Sequence, residues 1–436
     1  MVFEDDELNQ RREKRKQEQK FRNSQQKLLR IGIIMTAVTV VLCATALLIT
    51  WGVVSQPQNP SLEAPSPESS TQESSQTQEQ PAPEQPPVQP DTVIHIIAGG
   101  DINITDKTVA AGQTNSGYDY SDVFLDVMPI LAEADLACLN FEGSLSGSPY
   151  GSANKSAPRE LLQALRNAGV DFLQTANSQS VVGGLDGLKS TLTAIREAGI
   201  TPLGTYANKE EFQKSGGYII QEIQGVRIAF VAFTKGMDGM GLPTGSEDCV
   251  NLLYTDYNST YQKVDTEGIT AVLKAANKHK PDITIALLHW GSEFNNKISK
   301  TQEKITELML QNGVDAIIGT HSHYVQTTQY DPAAGILVAY SLGDFYGDAE
   351  SAGTDYSVLL DLEITKNAQT GETKLTGYDY IPVYIQHEEE SGALKLLRIR
   401  EAINAYEKNF VTKVTEETYL AMKNALTKIE SRMDME

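Results

Sequence analysis

Apolar and polar positions alternate from residue 92 onward in a pattern that predicts an α/β domain. Short, nearly continuous apolar runs are typical of buried strands, and most are separated by segments whose apolar residues recur at helical spacing. Strands are predicted at 93–98, 136–140, 171–175, 218–223, 227–233, 283–288, 314–318, 336–340, 357–364 and about 373–385. The two strands on either side of Gln224-Gly225 are predicted to form a hairpin.

Helices are predicted between these strands. Segments 123–134 and 269–278 have a helical pattern, and three further helices end at Gly169, Gly199 and Gly313, since glycine often ends a helix. The last stretch, 396–432, is charged and mostly helical in pattern. Because helices alternate with strands, the sequence predicts a largely parallel sheet.

The segments before this domain have a different pattern. Residues 31–54 contain no charged residue and are long enough to cross a bilayer, which takes about 20 residues. The basic side chains lie before this run, so the positive-inside rule predicts a cytoplasmic N-terminus and an extracellular main domain. We interpret the run as an uncleaved signal anchor because it exceeds a signal-peptide core. A buried core helix is the weaker alternative.

Composition changes again after the predicted anchor. Residues 55–91 are rich in Pro, Ser, Gln and Glu and are predicted to form a disordered stalk that holds the next domain away from the membrane. The predicted organisation is a cytoplasmic basic segment at 1–30, a transmembrane anchor at 31–54, the stalk at 55–91, the main domain at 92–390 and a helical segment at 391–436.

The net charge of the chain is −21 and is unevenly distributed. Residues 1–30 hold nine Lys/Arg and six Asp/Glu, which typifies a solvated helix, with a nucleic-acid arm as the less favoured alternative. The acidic remainder has no basic patch, so nucleic acid is not an expected partner. Three cysteines, with Cys43 in the apolar segment, exclude a disulfide scaffold, and we expect Cys138 and Cys249 to be unpaired.

Polar side chains follow five of the predicted strands near the point where each strand ends. They are Asp101 with Asn103, Glu142, Asn177, His289, and His321 with His323. The carboxyl ends of parallel strands share one edge of a sheet, where α/β proteins place ligands. Each residue alone could be a turn, a cap or a half-buried side chain. Together, carboxylates, an amide and imidazoles suit a divalent ion such as Mn, Zn or Fe.

Two similar sequence segments support the prediction that these polar residues lie at one edge of a sheet. The letters N-A-G-V-D at 167–171 lead to Asn177 six residues after the aspartate, and Q-N-G-V-D at 311–315 leads to His321 at the same distance. Both segments pass from a helix through a glycine into a strand. We interpret them as one solution to the helix-to-strand turn, which predicts that Asn177 and His321 reach the same edge.

These residues resemble the CapA-type poly-γ-glutamate capsule synthesis proteins, relatives of calcineurin-like metallophosphoesterases. The resemblance covers about residues 93–348 and rests on Gly100-Asp101, Asn140-Phe141-Glu142-Gly143, Ala176-Asn177, His289-Trp290-Gly291 with Glu293, His321-Ser322-His323 and Tyr340-Ser341-Leu342-Gly343-Asp344-Phe345. It implies a metallophosphoesterase-like β-sandwich flanked by helices, with one or two divalent ions. On that pattern Asp101 and His323 bind one ion, Asn177, His289 and His321 bind the other, and Glu142 bridges them. Asn103 stands where related enzymes have a histidine ligand.

Several positions depart from the family pattern. The chain has Ala176-Asn177-Ser178-Gln179 where the family usually has Ala-Asn-Asn-His. Gln179 replaces a histidine that related phosphoesterases use as general acid or to stabilise the transition state, Thr320 replaces a common histidine, and Asp344 replaces the usual asparagine. Glutamine cannot give up a proton, and general acid help is typically worth about 10² to 10⁴ in rate. Hydrolysis is therefore expected to be slow unless the leaving group is a good one or His95, His279 or His387 substitutes. An inward-facing Asp344 would hold a cation more tightly.

The resemblance implies a membrane-anchored extracellular protein that acts in the synthesis, export or retention of poly-γ-glutamate or a similar anionic capsule polymer. Its expected partners are the cytoplasmic membrane, the polymer and other membrane subunits of capsule synthesis. Gln179 favours, as the alternative, a metal-containing binding or scaffold module without turnover. A signalling phosphatase is disfavoured by the predicted extracellular location.

Overall fold

The computed structural model describes residues 90–388, 391–410 and 412–433, and every structural statement below concerns these residues. The predicted cytoplasmic segment, the predicted anchor and nearly all of the predicted stalk lie outside them. Within the described ranges, no helix combines the length and the apolar character needed to cross a membrane.

Two mixed sheets form the centre of the domain. The strands are β1 (Thr92–Asn103), β2 (Gln113–Thr114), β3 (Gly117–Tyr118), β4 (Leu136–Glu142), β5 (Phe172–Gln174), β6 (Thr201–Leu203), β7 (Tyr218–Ile223), β8 (Val226–Thr234), β9 (Ile283–His289), β10 (Ala316–Thr320), β11 (Thr328–Asp331), β12 (Ile336–Ala339), β13 (Asp344–Tyr346), β14 (Tyr356–Lys366), β15 (Thr373–His387) and β16 (Leu394–Arg398). The first sheet has the order β16-β15-β14-β1-β4-β5-β6, with β13 also paired to β1. The second has the order β11-β12-β10-β9-β8-β7.

Each sheet contains one parallel block. Strands β1, β4, β5 and β6 run parallel in the first sheet, and β8, β9, β10 and β12 run parallel in the second. The flanking strands β14, β15, β16, β7 and β11 pair antiparallel. The prediction of a largely parallel sheet is therefore confirmed for these two blocks only, because antiparallel strands complete both sheets. The predicted hairpin is confirmed as β7 and β8.

Helices lie between the strands along the chain. They are α1 (Asp106–Ala110), α2 (Met128–Glu133), α3 (Arg159–Ala168), α4 (Gly184–Glu197), α5 (Lys209–Ser215), α6 (Thr266–Asn277), α7 (Lys300–Gln311), α8 (Ile399–Glu407) and α9 (Glu416–Met433). Helices α2, α3 and α4 share an apolar cluster with the first sheet, and α6 and α7 share one with the second.

A third apolar cluster joins the two sheets. Alternate residues of β1, such as Ile94 and Ile96, pack with alternate residues of β8, such as Ile228 and Phe230. The opposite faces of the same strands belong to the helix-covered clusters, as Ile97 and Val231 do. This alternation is the period-2 pattern of a strand that is buried on both sides. The predicted sandwich of sheets flanked by helices is confirmed.

An aspartate directly before each of four parallel strands fixes the register with the neighbouring strand. In every pair the carboxylate accepts the backbone N–H of the partner residue, and the aspartate N–H donates to that residue's carbonyl. The pairs are Asp135 with His95, Asp171 with Ala137, Asp282 with Arg227 and Asp315 with Thr284, at 2.7–3.0 Å. A one-residue slip would exchange the face that each strand packs against the other sheet with the face that it packs against the helices, so this pairing protects the core.

The similar segments 167–171 and 311–315 form the same helix-to-strand turn in the structure. Gly169 and Gly313 have φ values of 108° and 85°, in the left-handed region that glycine adopts most easily. The aspartate two residues after each glycine makes the register pairing described above. The two segments therefore solve the same turn in the same way, as predicted.

Several short elements were not predicted. Strands β6, β11, β13 and β16 and helices α1 and α5 have three to seven residues, too few for a periodic signal. The helix predicted at 123–134 is confined to Met128–Glu133, since Pro129 lies in its first turn. The stretch predicted as mostly helical from residue 396 begins inside β16. Cys138 and Cys249 are buried and unpaired, as expected.

Candidate metal centre

The carboxyl ends of β1, β4, β9 and β10 bring most of the predicted ligands together. Register places Asp101 beside Asn140 in the first sheet and Thr320 beside His289 in the second. Six predicted ligand residues are at most 4% exposed: Asp101, Glu142, Asn177, His289, His321 and His323. Such complete burial of carboxylates is costly unless a charge or donor compensates it.

Close backbone approach sets the position of Asp101. The Asp101 N–H donates a 3.0 Å hydrogen bond to the Gly343 carbonyl, and a Cβ atom at Gly100 would lie only 1.8 Å from that carbonyl oxygen. Glycine at position 100 is thus required for β1 to meet the 340–345 segment. The Asp101 carboxylate in turn accepts the His321 N–H at 3.0 Å. This contact helps to hold His321, whose φ of 87° is unusual for a non-glycine residue.

The buried side chains form two overlapping groups with metal-ligand geometry. One group is Asp101, Glu142 and His323, and the other is Glu142, His289 and His321. Within each group the candidate ligand atoms lie within 4.8 Å of one another. Glu142 belongs to both groups, which is the position that a bridging carboxylate occupies between two ions.

Two buried atoms at the centre have no hydrogen-bond partner. They are Oε2 of Glu142 and Nδ1 of His321. An unpaired buried carboxylate oxygen and imidazole nitrogen are unfavourable in an apolar interior, and a divalent cation between them would satisfy both. The residues present therefore fit a metal ion of the carboxylate- and imidazole-binding kind.

Carboxylates surround His323. Its Nδ1 lies 2.7 Å from Oδ1 of Asp344 and 4.0 Å from Oδ2 of Asp101. Burial opposes the charged imidazole, but Asp344, Glu142 and Asp101 raise the pKa of His323 well above its usual value. Burial also raises the pKa of Asp101 to about 6 and that of Glu142 well above its usual value. Carboxylates crowded in this way favour a cation.

The imidazoles of His289 and His321 have a different environment. Burial lowers the pKa of both well below the usual value, and neighbouring cations add to this effect. Both rings are therefore neutral, which is the form that binds metal. His289 lies with Nε2 3.2 Å from the Ser178 hydroxyl and 3.6 Å from Oε1 of Glu142. Its Nδ1 lies 3.1 Å from the Thr320 hydroxyl.

The two predicted asparagine ligands are placed differently. Asn177 is buried at the shared edge, where its amide donates to Oδ1 of Asn140 at 3.1 Å and to the Phe141 carbonyl at 2.6 Å. Its own Oδ1 accepts the Gln179 N–H at 3.0 Å. Asn103 is half-buried, and its Oδ1 accepts a 3.3 Å hydrogen bond from Lys155. Their roles as ligands stay predictions.

Gln179 lies at the same edge and is 9% exposed. Its side-chain amide donates to Oδ2 of Asp238 at 3.2 Å. Asp344, which the sequence singled out, does face the centre through His323.

Sequence reasoning missed Lys235. This residue follows β8, and its Nζ lies 3.2 Å from Nε2 of His321 while donating to the Gly291 carbonyl at 3.0 Å. The ammonium also lies 4.6 Å from the ring centroid of Tyr261. The signal was present, because a polar residue directly follows an apolar strand. The hairpin pattern of β7 and β8 does not show that the carboxyl end of β8 reaches the centre.

The fold and the site together define an α/β sandwich that carries a buried cluster of carboxylates and histidines, a candidate metal centre, at its strand ends. The family model of the bacterial capsule synthesis protein PGA_cap matches residues 95–349, which is more than half of the chain. The chain belongs to this family. The match begins in β1 and ends just after β13, so it includes every residue of the two ligand groups.

Two curated relatives carry capsule names. The chain is 30% identical over 277 residues to the capsule biosynthesis protein CapA of Bacillus anthracis, covering 62% of each chain. It is 27% identical over 263 residues to the PGA biosynthesis protein CapA of Bacillus subtilis (strain 168), covering 59% of this chain and 64% of the relative. The chain thus matches less than two thirds of either relative's length. The solved 5'-nucleotidase precursor from Thermus thermophilus aligns with a TM-score of 0.40 and 13% identity, over 78% of this chain and 59% of its own.

Proposed function

We propose that this chain is a membrane-anchored CapA-type protein that acts outside the cell in the synthesis, export or retention of an anionic capsule polymer such as poly-γ-glutamate. Membership in the capsule synthesis family supports the process, and the names of the two Bacillus relatives suggest the polymer. The apolar run at 31–54 and the basic residues before it support the anchor and its orientation.

The observation that carries the proposal of a metal-dependent role is the sharing of Glu142 by two ligand groups. A divalent ion at this centre would supply Lewis-acid polarisation of a bound carbonyl or phosphoryl oxygen. The chain's own residues would do the rest. Asp101, Glu142 and His323 would hold one ion, and Glu142, His289 and His321 would hold a second. The Ser178 hydroxyl beside His289 can donate a hydrogen bond to a ligand.

The acidic surface limits how a polyanion can bind. The chain carries −24 outside residues 1–30, so direct contact with polyglutamate would be repulsive over much of the domain. Bound cations, or other membrane subunits of the capsule machinery, would therefore mediate the contact.

A second function follows from Gln179. The side chain at this position is tied to Asp238 and cannot act as a general acid. A protein with glutamine at position 179 can still bind a metal and a ligand at these strand ends without turning a substrate over. The second candidate is therefore a metal-containing scaffold module of a cell-surface polymer complex.

Metal analysis and complementation test these functions together. The full chain is purified in detergent, its bound metal is measured, and the chain is returned to capsule-producing cells that lack it. We expect bound Mn, Zn or Fe in the wild type and loss of surface polymer with His321→Ala. Esterase turnover that is lost in His321→Ala supports the enzyme, and metal without turnover supports the scaffold. Absence of metal, or full capsule with His321→Ala, would contradict both.

A further inference from the structure

The two ligand groups share Glu142 but differ in the charges around them. Asp344 lies beside the group of Asp101, Glu142 and His323, whereas Lys235 lies beside the group of Glu142, His289 and His321. One neighbour is a carboxylate and the other is an ammonium. We call these the carboxylate group and the imidazole group.

The carboxylate group concentrates negative charge. Asp101, Glu142 and Asp344 are at most 3% exposed, and Asp344 reaches the group through its 2.7 Å contact with Nδ1 of His323. With Nδ1 engaged by Asp344, the Nε2 atom of His323 is the nitrogen available to a cation. A carboxylate that orients a ligating imidazole in this way raises its basicity and fixes its tautomer.

The imidazole group has little charge of its own. His289 and His321 are neutral ligands, so Glu142 is the only carboxylate among its three ligands. The Asp101 carboxylate belongs to the other group, and its Oδ1 lies 3.9 Å from Nδ1 of His289. The Lys235 ammonium then lies 3.2 Å from His321. The other two neighbours of Lys235, the Gly291 carbonyl and the Tyr261 ring, carry no net charge. Burial lowers the pKa of Lys235, and the carboxylates of Glu293 and Asp238 oppose this effect by stabilising its charged form.

A divalent ion bonded to His321 would share one imidazole with this ammonium. Like charges so close together repel strongly where water is excluded, and the repulsion must be overcome before the ion binds. The hydrogen-bonding pattern acts in the same direction. If Nε2 of His321 accepts a hydrogen bond from Lys235, the ring proton of the neutral imidazole sits on Nδ1, the buried nitrogen that has no partner.

We propose that the centre binds divalent cations unequally. The carboxylate group takes one ion tightly, and Lys235 weakens the imidazole group so that a second ion binds at least tenfold more weakly. Lys235 is thus a positioning residue that sets how many ions the chain holds. The inference rests on the proposed metal centre, and it goes further by assigning an order of filling.

Manganese titration of the full chain tests the order. Mn²⁺ is added to the metal-free chain, binding is followed by calorimetry, and electron paramagnetic resonance distinguishes an isolated ion from a spin-coupled pair. We expect the wild type to show one tight ion with the isolated signal. Lys235→Met keeps a side chain of similar length without the charge, so the second ion should bind at least tenfold tighter and the coupled signal should appear at lower Mn²⁺.

Two further variants separate charge from packing. Lys235→Arg keeps the positive charge and should keep the single tight ion. Asp344→Asn removes the charge beside His323 and should weaken the first ion at least tenfold while leaving the second unchanged. A melting curve of each variant without metal verifies that it folds.

The outcomes distinguish a failure of the proposed filling order from a failure of the metal centre itself. Two ions of equal affinity in the wild type, or an unchanged second affinity in Lys235→Met, would overturn the unequal filling and leave the metal centre intact. A chain that binds no Mn²⁺ in any variant would overturn both the centre and the order of filling.

Discussion

The side-chain amide of Gln179 donates a 3.2 Å hydrogen bond to Oδ2 of Asp238. The Gln179 backbone N–H is also bound to Asn177, so residue 179 is fixed at the metal-binding edge by two contacts. Family resemblance places a histidine here. The surrounding edge therefore retains a carboxylate that could orient an imidazole, although the imidazole itself is absent.

Gln179→His is predicted to raise phosphoesterase turnover. Asp238 would accept a hydrogen bond from the introduced ring and orient the opposite nitrogen toward a leaving group. General acid catalysis is typically worth about 10² to 10⁴. We expect kcat for an unactivated phosphodiester to rise at least tenfold, and the rise to be smaller for an activated p-nitrophenyl ester, which needs little help in leaving.

Two controls belong to this measurement. Gln179→Asn keeps an amide and should leave turnover at the wild-type level. Adding Asp238→Asn to Gln179→His should remove much of the gain, because the ring loses its orienting carboxylate. Equal turnover in all four chains would contradict a catalytic position at residue 179 and would favour the scaffold function.

Metal is predicted to stabilise the fold through Glu142. Its carboxylate is 2% exposed and one of its oxygens has no partner, so the metal-free chain carries an uncompensated polar group. An ion whose free concentration is about a hundred times its Kd stabilises the native state by about 2.7 kcal/mol. We expect Mn²⁺ to raise the Tm and a chelator to reverse the rise. In Glu142→Gln the Mn²⁺ effect should shrink sharply; an unchanged rise would place the ion elsewhere.

Much of the centre could be predicted because strand ends are visible in the sequence. An apolar run followed by a polar residue located Asp101, Glu142, His289 and His321 without any knowledge of the sheet order. Their convergence did depend on that order, since β1 and β4 belong to one sheet and β9 and β10 to the other. The pattern of helices and strands predicts the parallel blocks, but it does not say that two such blocks face each other.

The residues that modulate the centre were harder to find from the apolar pattern alone. Asp344 was singled out through the family resemblance, because it starts β13, a three-residue strand paired with β1 that has no periodicity to detect. Lys235 follows β8, and the sequence pattern identifies this strand only as half of a hairpin with β7. Both residues act through tertiary proximity to a histidine. That proximity is set by packing, which a local pattern does not contain.

The register-fixing aspartates are predicted to contribute individually to stability. In Asp315→Ala the backbone N–H of Thr284, a residue that is 2% exposed, loses its side-chain acceptor. A buried donor left unpaired costs about 1–3 kcal/mol. We expect a loss of this size in the free energy of unfolding from urea denaturation. Asp315→Asn retains an oxygen at the same place and should lose much less; equal losses would show that the hydrogen bond is not the cause.

The two cysteines of the domain are predicted to be unreactive while the chain is folded. Cys138 is fully buried, and burial raises the pKa of its thiol to about 12. Cys249 is 2% exposed, and burial raises its pKa as well. Since the thiolate is the reactive form, a Cys43→Ser chain should show almost no reaction with a thiol reagent at pH 8. After denaturation without reductant, two thiols should react. Fewer would reveal a disulfide.

The predicted stalk allows the orientation to be tested with two proteases. Residues 31–106 contain no Lys or Arg, whereas five glutamates lie between residues 56 and 91. A glutamate-specific protease added to intact cells should therefore release the main domain, while trypsin has no site in the stalk and serves as the matched control. Substituting all five glutamates with glutamine should abolish the release. If the chain were cut by the glutamate-specific protease only after lysis, the extracellular location would be wrong, and with it the proposed action on a surface polymer.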